Sequence, residues 1–146
     1  MKPISFTHSG PIAAPIVEVF ALLTDPARFP EWLPYCARVE PDARPNAKGA
    51  HHILMYETLR RRVTIEIQII EFNPPTGYGW NELAQRTGSK TFFLLQFAGG
   101  MTNLTMKQTW TARTARAWLL AQFFRRRNSQ RMFTAVLQNL RKALTK

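Results

Sequence analysis

Residues 12–32 read Ile12-Ala13-Ala14-Pro15-Ile16-Val17-Glu18-Val19-Phe20-Ala21-Leu22-Leu23-Thr24-Asp25-Pro26-Ala27-Arg28-Phe29-Pro30-Glu31-Trp32. Pro15 suits the first residue of a helix, where its missing N–H costs nothing. Val17, Phe20, Ala21 and Leu23-Thr24 follow at helical spacing, with Glu18 in the first turn. Asp25 precedes a proline and so avoids the helical region, which ends this first helix. The Asp25 carboxylate can cap a second short helix from about Pro26 to Trp32, and Pro34 stops it.

Working outward, Ile4 to Ile12 reads as a strand before the helix pair. After it the pattern changes to strands as far as Trp110. Ala37–Pro41 is a short one, and Asp42 to Gly49 is loop chemistry. His51–Thr58 and Arg62–Phe72 form a hairpin around Leu59-Arg60-Arg61. The second of these shows the cleanest alternation in the chain, with Val63, Ile65, Ile67 and Ile69 on one face. Tyr78–Leu83, Thr91–Phe97 and Thr102–Trp110 complete the set, separated by turns at 73–77, Arg86–Ser89 and Ala98–Met101. The stretch from Ala115 to Leu144 is helical, with an apolar stripe of Phe133, Val136, Leu137, Leu140 and Leu144. Arg125-Arg126-Arg127-Asn128-Ser129 interrupts that stripe, so the helix is expected to bend or restart there with Ser129 as its cap. Short turns between consecutive strands imply an antiparallel meander. The C-terminal helix is the one element large enough to cover its apolar face. The expected fold is α+β: a seven-stranded antiparallel sheet wrapped around a long C-terminal helix, with two short helices after strand 1, in a single domain over residues 1–146.

This order is that of the helix-grip fold. The stretch Ile12–Trp32 resembles the start of the SRPBCC, or START-like, superfamily, in particular its polyketide cyclase/dehydrase and lipid-transport branch. Lys48-Gly49 before the third strand, Glu71-Phe72-Asn73-Pro74-Pro75 after the fourth and Gly99 to Thr105 opening the seventh are similar to it in the same order. The resemblance covers essentially the whole chain. It implies a deep, mostly apolar cavity between sheet and helix, of about 300–1,000 Å³. It transfers no catalytic residue, because the branch has no universal catalytic set. Trp32, Tyr35, Trp80, Phe93, Met106, Gln108 and Trp110 lie in elements that line the cavity in this fold, and they are the expected pocket residues. Trp32 is expected at its entrance. Gln108 could orient a ligand carbonyl or hydroxyl.

Catalytic and metal signatures are sparse. His51 and His52 are adjacent in a strand and so point to opposite faces. His8 and Cys36 have no spaced partner, so no metal or other cofactor is expected. There is no Gly-x-Ser-x-Gly, and Ser5, Ser9, Ser89 and Ser129 read as turn or terminal residues. A lone Cys36 forms no internal disulfide. Glu82 shares strand parity with Tyr78 and Trp80. In an apolar pocket its carboxyl could exchange protons. The preferred, simpler reading is that this face points outward or sits at the rim.

All nine Asp and Glu precede Leu83, whereas twelve of the twenty Lys and Arg follow it. The preferred reading of this asymmetry is a plain solvated face, and the alternative is an anionic membrane surface or an acidic protein as partner. Arg125, Arg126 and Arg127 follow Trp118–Phe124, which is apolar on every side. One sheet face cannot cover such a segment, so loops, a second subunit or a bilayer would complete it. Nucleic acid is not expected, since no binding motif is present. The N-terminus has no apolar signal core, so the expected location is the cytoplasm, peripheral to the membrane if the arginines dock there.

The expectation that follows is binding or carriage of a hydrophobic small molecule: lipid, polyketide-like or isoprenoid-like. The alternatives are a cyclase/aromatase/dehydrase-type enzyme using acid/base chemistry, and a membrane- or protein-docking module similar to coenzyme Q-binding relatives.

Overall fold

A computed structural model describes residues 3–44, 46–83, 89–111 and 115–145, with Pro3, Thr111 and 115–125 as backbone alone. Strand β1 (Pro3–Ile12) leads into α1 (Ile16–Thr24), a 3-10 turn (Pro26–Arg28) and α2 (Phe29–Trp32). Then come β2 (Cys36–Glu40), β3 (His51–Glu57), β4 (Arg62–Asn73), β5 (Gly77–Glu82), β6 (Lys90–Ala98), β7 (Met101–Thr111) and α3 (Ala115–Leu144). Pro15 sits extended just before α1, and the Asp25 carboxylate accepts from the Ala27 N–H at 3.2 Å, capping the 3-10 turn. Element bounds differ from the sequence reading by one residue or so, which is the usual uncertainty of element ends.

The sheet order is β1-β7-β6-β5-β4-β3-β2, with every neighbouring pair antiparallel. From β2 to β7 this is the expected meander. β1 returns to its far edge and pairs along its whole length with β7, from Pro3 opposite Thr111 to Ile12 opposite Thr102. Gly99 and Gly100 both have positive φ, 61° and 79°, the conformation a tight two-residue hairpin loop requires. This is the helix-grip arrangement, and α3 lies in the concave face of the sheet. Phe133, Val136 and Leu140 are buried there, and Leu137 and Leu144 are partly buried against the core. A Cβ on Gly10 of β1 would stand 2.5 Å from Leu137 Cδ2, so the glycine lets strand and helix approach closely.

The helix corrects one expectation. α3 is unbroken from Ala115 to Leu144, so Ser129 is not a cap. It is buried in mid-helix, 6 % exposed, and its hydroxyl is satisfied by side chains of β1 and β7. The side chains of 118–125, including Arg125, and positions 86–88 of the expected turn lie outside the described residues. Among the described residues no helix is long and apolar enough to cross a membrane.

Behind α2 the gripped space is packed solid. Phe29 is its centre, with ring centroids 5.4 Å from Trp32, 5.8 Å from Trp80 and 6.5 Å from Tyr78. Trp32 meets Phe93 edge-on at 5.6 Å. His51 and His52 do point apart: His51 lies near Glu66 on the outer face, whereas His52 is 1 % exposed in the core. The Asp42 N–H donates to His52 Nδ1, so Nε2 carries the proton and donates to Asn46 Oδ1. Asn46 Nδ2 in turn donates to the Thr24 carbonyl, which ties the β2–β3 loop to the end of α1.

Candidate functional site

A cavity of about 510 Å³ opens at the other end, between α3 and the sheet. Phe29, Trp32 and Phe93 are buried and packed together outside its lining. Its floor is Tyr56 of β3, Trp80 and Glu82 of β5, Thr91 of β6 and Gln108 of β7. These positions share the inward face, since strand side chains alternate and Thr91 is the register partner of Gln108. Its roof is Asn128, Arg131, Met132 and Ala135 of α3, four residues at helical spacing. Pro34 and Tyr35 stand at the mouth. Tyr35 is 71 % exposed with φ +65°, and its carbonyl accepts from the Glu57 N–H at 2.9 Å.

The expected pocket residues separate into three groups. Tyr35, Trp80 and Gln108 line this cavity. Trp110 instead lines an adjoining cavity of about 290 Å³, whose walls share Gln108, Asn128 and Met132 with the first. Trp32, Phe93 and Met106 line neither; they are fully buried core. Trp32 therefore does not mark the entrance: it is 0 % exposed, and its carbonyl accepts from Asn139 Nδ2 of α3 at 3.2 Å. The face carrying Tyr78, Trp80 and Glu82 points inward, not outward as preferred from sequence, and Glu82 lines the cavity. Tyr56, Arg131 and Met132 were not anticipated. Their strand or helix parity was readable, but which end of each element would lie over the open space was not.

Two polar groups of the walls, Gln108 and Ser129, are tied into the fold. Ser129 Oγ donates to Gln108 Oε1 at 2.8 Å and lies 3.1 Å from His8 Nε2, while Gln108 Nε2 faces Met132 Sδ at 3.6 Å. Burial, then the nearby Cys36 and Glu82, push the Tyr56 phenol far above its usual range, so it stays protonated. Burial also pushes the Cys36 thiol up to about 11. Among the described residues no group of three or more His, Cys, Asp or Glu converges as metal ligands would. The arrangement offers apolar surface from Tyr35, Tyr56 and Met132, with hydroxyl, amide and guanidinium donors at its edges.

Three comparisons bear on this site. The sequence profile of the family described as polyketide cyclase / dehydrase and lipid transport matches residues 3–145. A search of curated protein sequences gave no match. The fold is similar to the di-domain aromatase/cyclase StfQ from the steffimycin biosynthetic pathway, with a TM-score of 0.80 and 14% identity over 96% of this chain. The chain spans 50% of the length of that protein. It is also similar to the Zhui aromatase/cyclase from Streptomyces sp. R1128 (TM-score 0.75, 16% identity, 98% of this chain and 96% of that one). Ara h 8.0201 has the same fold, at a TM-score of 0.69 and 13% identity, with 95% of this chain and 98% of that one covered. At such identities the likeness is one of fold.

Proposed function

The chain belongs to the polyketide cyclase/dehydrase and lipid transport family, and from that membership we propose that it binds a hydrophobic small molecule in the cavity under α3 and carries it. Family and fold support hydrophobic-ligand binding or cyclase-type chemistry alike. The observation that favours carriage is how the wall's polar groups are held. Gln108 and Ser129 are bonded to one another, and burial keeps the Tyr56 phenol protonated. Groups fixed in this way orient a ligand more readily than they exchange protons with it. Glu82 is the residue through which the enzymatic alternative would act, as proton donor or acceptor.

Native mass spectrometry of freshly purified protein tests the reading, and a bound hydrophobic ligand at one per chain is the expected result. Ala135→Trp, which fills the roof of the cavity, should abolish that ligand while the protein still unfolds cooperatively. Glu82→Gln should leave the bound mass unchanged if the ligand is carried. A ligand that accumulates in a different chemical form in Glu82→Gln would favour catalysis instead. An empty wild-type protein that also ignores added fatty acids, sterols and polycyclic aromatics would end the proposal.

A second reading concerns docking on an anionic membrane. The β3–β4 hairpin tip lies three residues beyond Tyr56, at the cavity mouth. It carries Leu59, fully exposed at 107 %, followed by exposed Arg60, Arg61 and Arg62. Exposed Arg126 and Arg127 lie on the half of α3 at that same end. An apolar tip ringed by arginines suits a negatively charged bilayer, at about 1 kcal/mol per basic residue and weakened by salt. Co-sedimentation with liposomes should rise with anionic lipid content and fall with salt. It should also fall in Leu59→Ser and in the Arg60→Gln, Arg61→Gln double variant. Equal pelleting by all three proteins would leave these residues as a solvated rim.

A further inference from the structure

The wall shared by the two adjoining cavities is built around one amide. Gln108 lines both, and its side chain is bracketed by two residues of α3 one turn apart, Ser129 and Met132. Ser129 has a single proton, which it gives to Gln108 Oε1 at 2.8 Å. Its contact with His8 must then be an acceptance, so His8 carries its proton on Nε2 and donates to Ser129 Oγ across 3.1 Å. The His8 ring is itself stacked on Phe133, with centroids 5.7 Å apart and planes at 21°. The relay runs one way: His8 to Ser129 to the oxygen of Gln108.

The far side of the amide agrees with that direction. Gln108 Nε2 faces Met132 Sδ at 3.6 Å, and a thioether sulfur can accept but not donate. Reversing the amide would set its oxygen lone pairs against those of sulfur. It would also force Ser129 to turn its proton toward His8. The orientation is thus fixed from both ends, by Ser129 and Met132, 21 and 24 positions from Gln108 in the chain.

We infer that Gln108 is the specificity-determining donor of the cavity, and that Ser129 and His8 are positioning residues that lock its amide with the NH2 group toward the ligand. This rests on the ligand-cavity reading above. The chemical class it selects is an apolar body that carries an acceptor oxygen such as a ring carbonyl. A hydrocarbon of the same shape would fit the apolar walls but leave unpaired the amide proton that Met132 does not accept. A ligand presenting only a donor would meet the wrong face of Gln108.

The test compares 9-fluorenone with fluorene, which share a shape and differ in a carbonyl for a methylene. Affinities are measured by equilibrium dialysis. Wild type should prefer fluorenone about fivefold, the worth of one ordinary hydrogen bond. Gln108→Met should remove the preference. Ser129→Ala and His8→Phe, the latter keeping the stack on Phe133, should reduce it to the same level with fluorene affinity within about twofold of wild type. Loss of packing alone would lower both affinities together and leave the ratio intact. In the wild-type protein a nuclear Overhauser contact between the Gln108 side-chain NH2 and the Met132 methyl is expected, and this needs no variant to fold. Absence of that contact, or a fluorenone preference that survives in Ser129→Ala and His8→Phe, overturns the inference. Equal binding of both probes by wild type sinks it alone. Binding of neither sinks the ligand-cavity reading and this inference with it.

Discussion

Phe29 and Trp80 lie with ring centroids 5.8 Å apart, and Trp80 also lines the cavity. Their contact divides the space under α3 into a filled inner half and an open outer one. Phe29 comes from α2 and Trp80 from β5, so the short helix pair plugs the grip from one end. Cavity volume is thereby set by the plug as much as by the sheet.

Removing the plug should trade stability for volume. Phe29→Ala deletes a fully buried ring in contact with four others, and about 3–5 kcal/mol of stability should be lost. Urea unfolding measures the loss. If the variant folds, it should also take up probes longer than wild type accepts. A cost below about 1 kcal/mol would mean that Phe29 is not closely packed.

Gly10 should resist enlargement. Its missing Cβ leaves room for Leu137, whose Cδ2 would otherwise lie 2.5 Å away. Gly10→Val must push α3 off β1 or turn Leu137 out of its place, and overpacking of this kind costs about 1–3 kcal/mol. Thermal unfolding of Gly10→Val and of Gly10→Val with Leu137→Ala checks the cause. The second substitution should restore part of the loss if the clash is with Leu137.

Acid should loosen the protein through buried His52 and half-buried His8. Burial lowers the His52 pKa, with Asp42 pulling the other way and His51 adding to the lowering. The unfolded chain protonates near 6.5, the folded one only below that, so the unfolded state binds more protons in between. The stabilising contribution is therefore complete above about pH 6.5 and is lost as pH falls through the folded value. His8 shifts in the same direction, through burial and then Arg126. The urea midpoint should be lower at pH 5.5 than at pH 7.5. The difference should shrink in His52→Gln, where the β2–β3 loop no longer depends on a neutral imidazole. An unchanged difference would remove His52 as its source.

Cys36 should be slow to react. Its residue is 5 % exposed, and burial pushes the thiol up to about 11, so thiolate is scarce near neutrality. Native protein at pH 8 should label with a disulfide reagent far more slowly than protein in 6 M guanidinium chloride. Equal rates would mean that the β2 edge opens freely.

Much of this molecule was legible in the sequence because its signals are local. Proline and aspartate at 15, 25, 26 and 34 bound the helix pair, and the alternation from Val63 to Ile69 declares a half-buried strand. The paired glycines at 99 and 100 supply the backbone a tight turn needs, and the apolar stripe from Phe133 to Leu144 marks the face of α3 that meets the sheet. Each of these depends on neighbours within a few residues, so periodicity and steric restriction suffice to read them. What periodicity cannot read is position along an element. Ile69 is 1 % exposed and Val63 41 % exposed on the same inward face, because β4 runs out from under the packed core toward the cavity end. Trp32, Trp80 and Phe93 are all buried, yet of the three Trp80 alone borders the cavity under α3. Ser129 in sequence is a polar break in an apolar stripe. Its meaning lies in His8 and Gln108, which only the pairing of β1 with β7 and the seating of α3 bring within hydrogen-bond reach. Sequence thus determined the elements and their faces; the tertiary structure decided which end stays open and which polar groups meet there, because those depend on contacts between residues far apart in the chain.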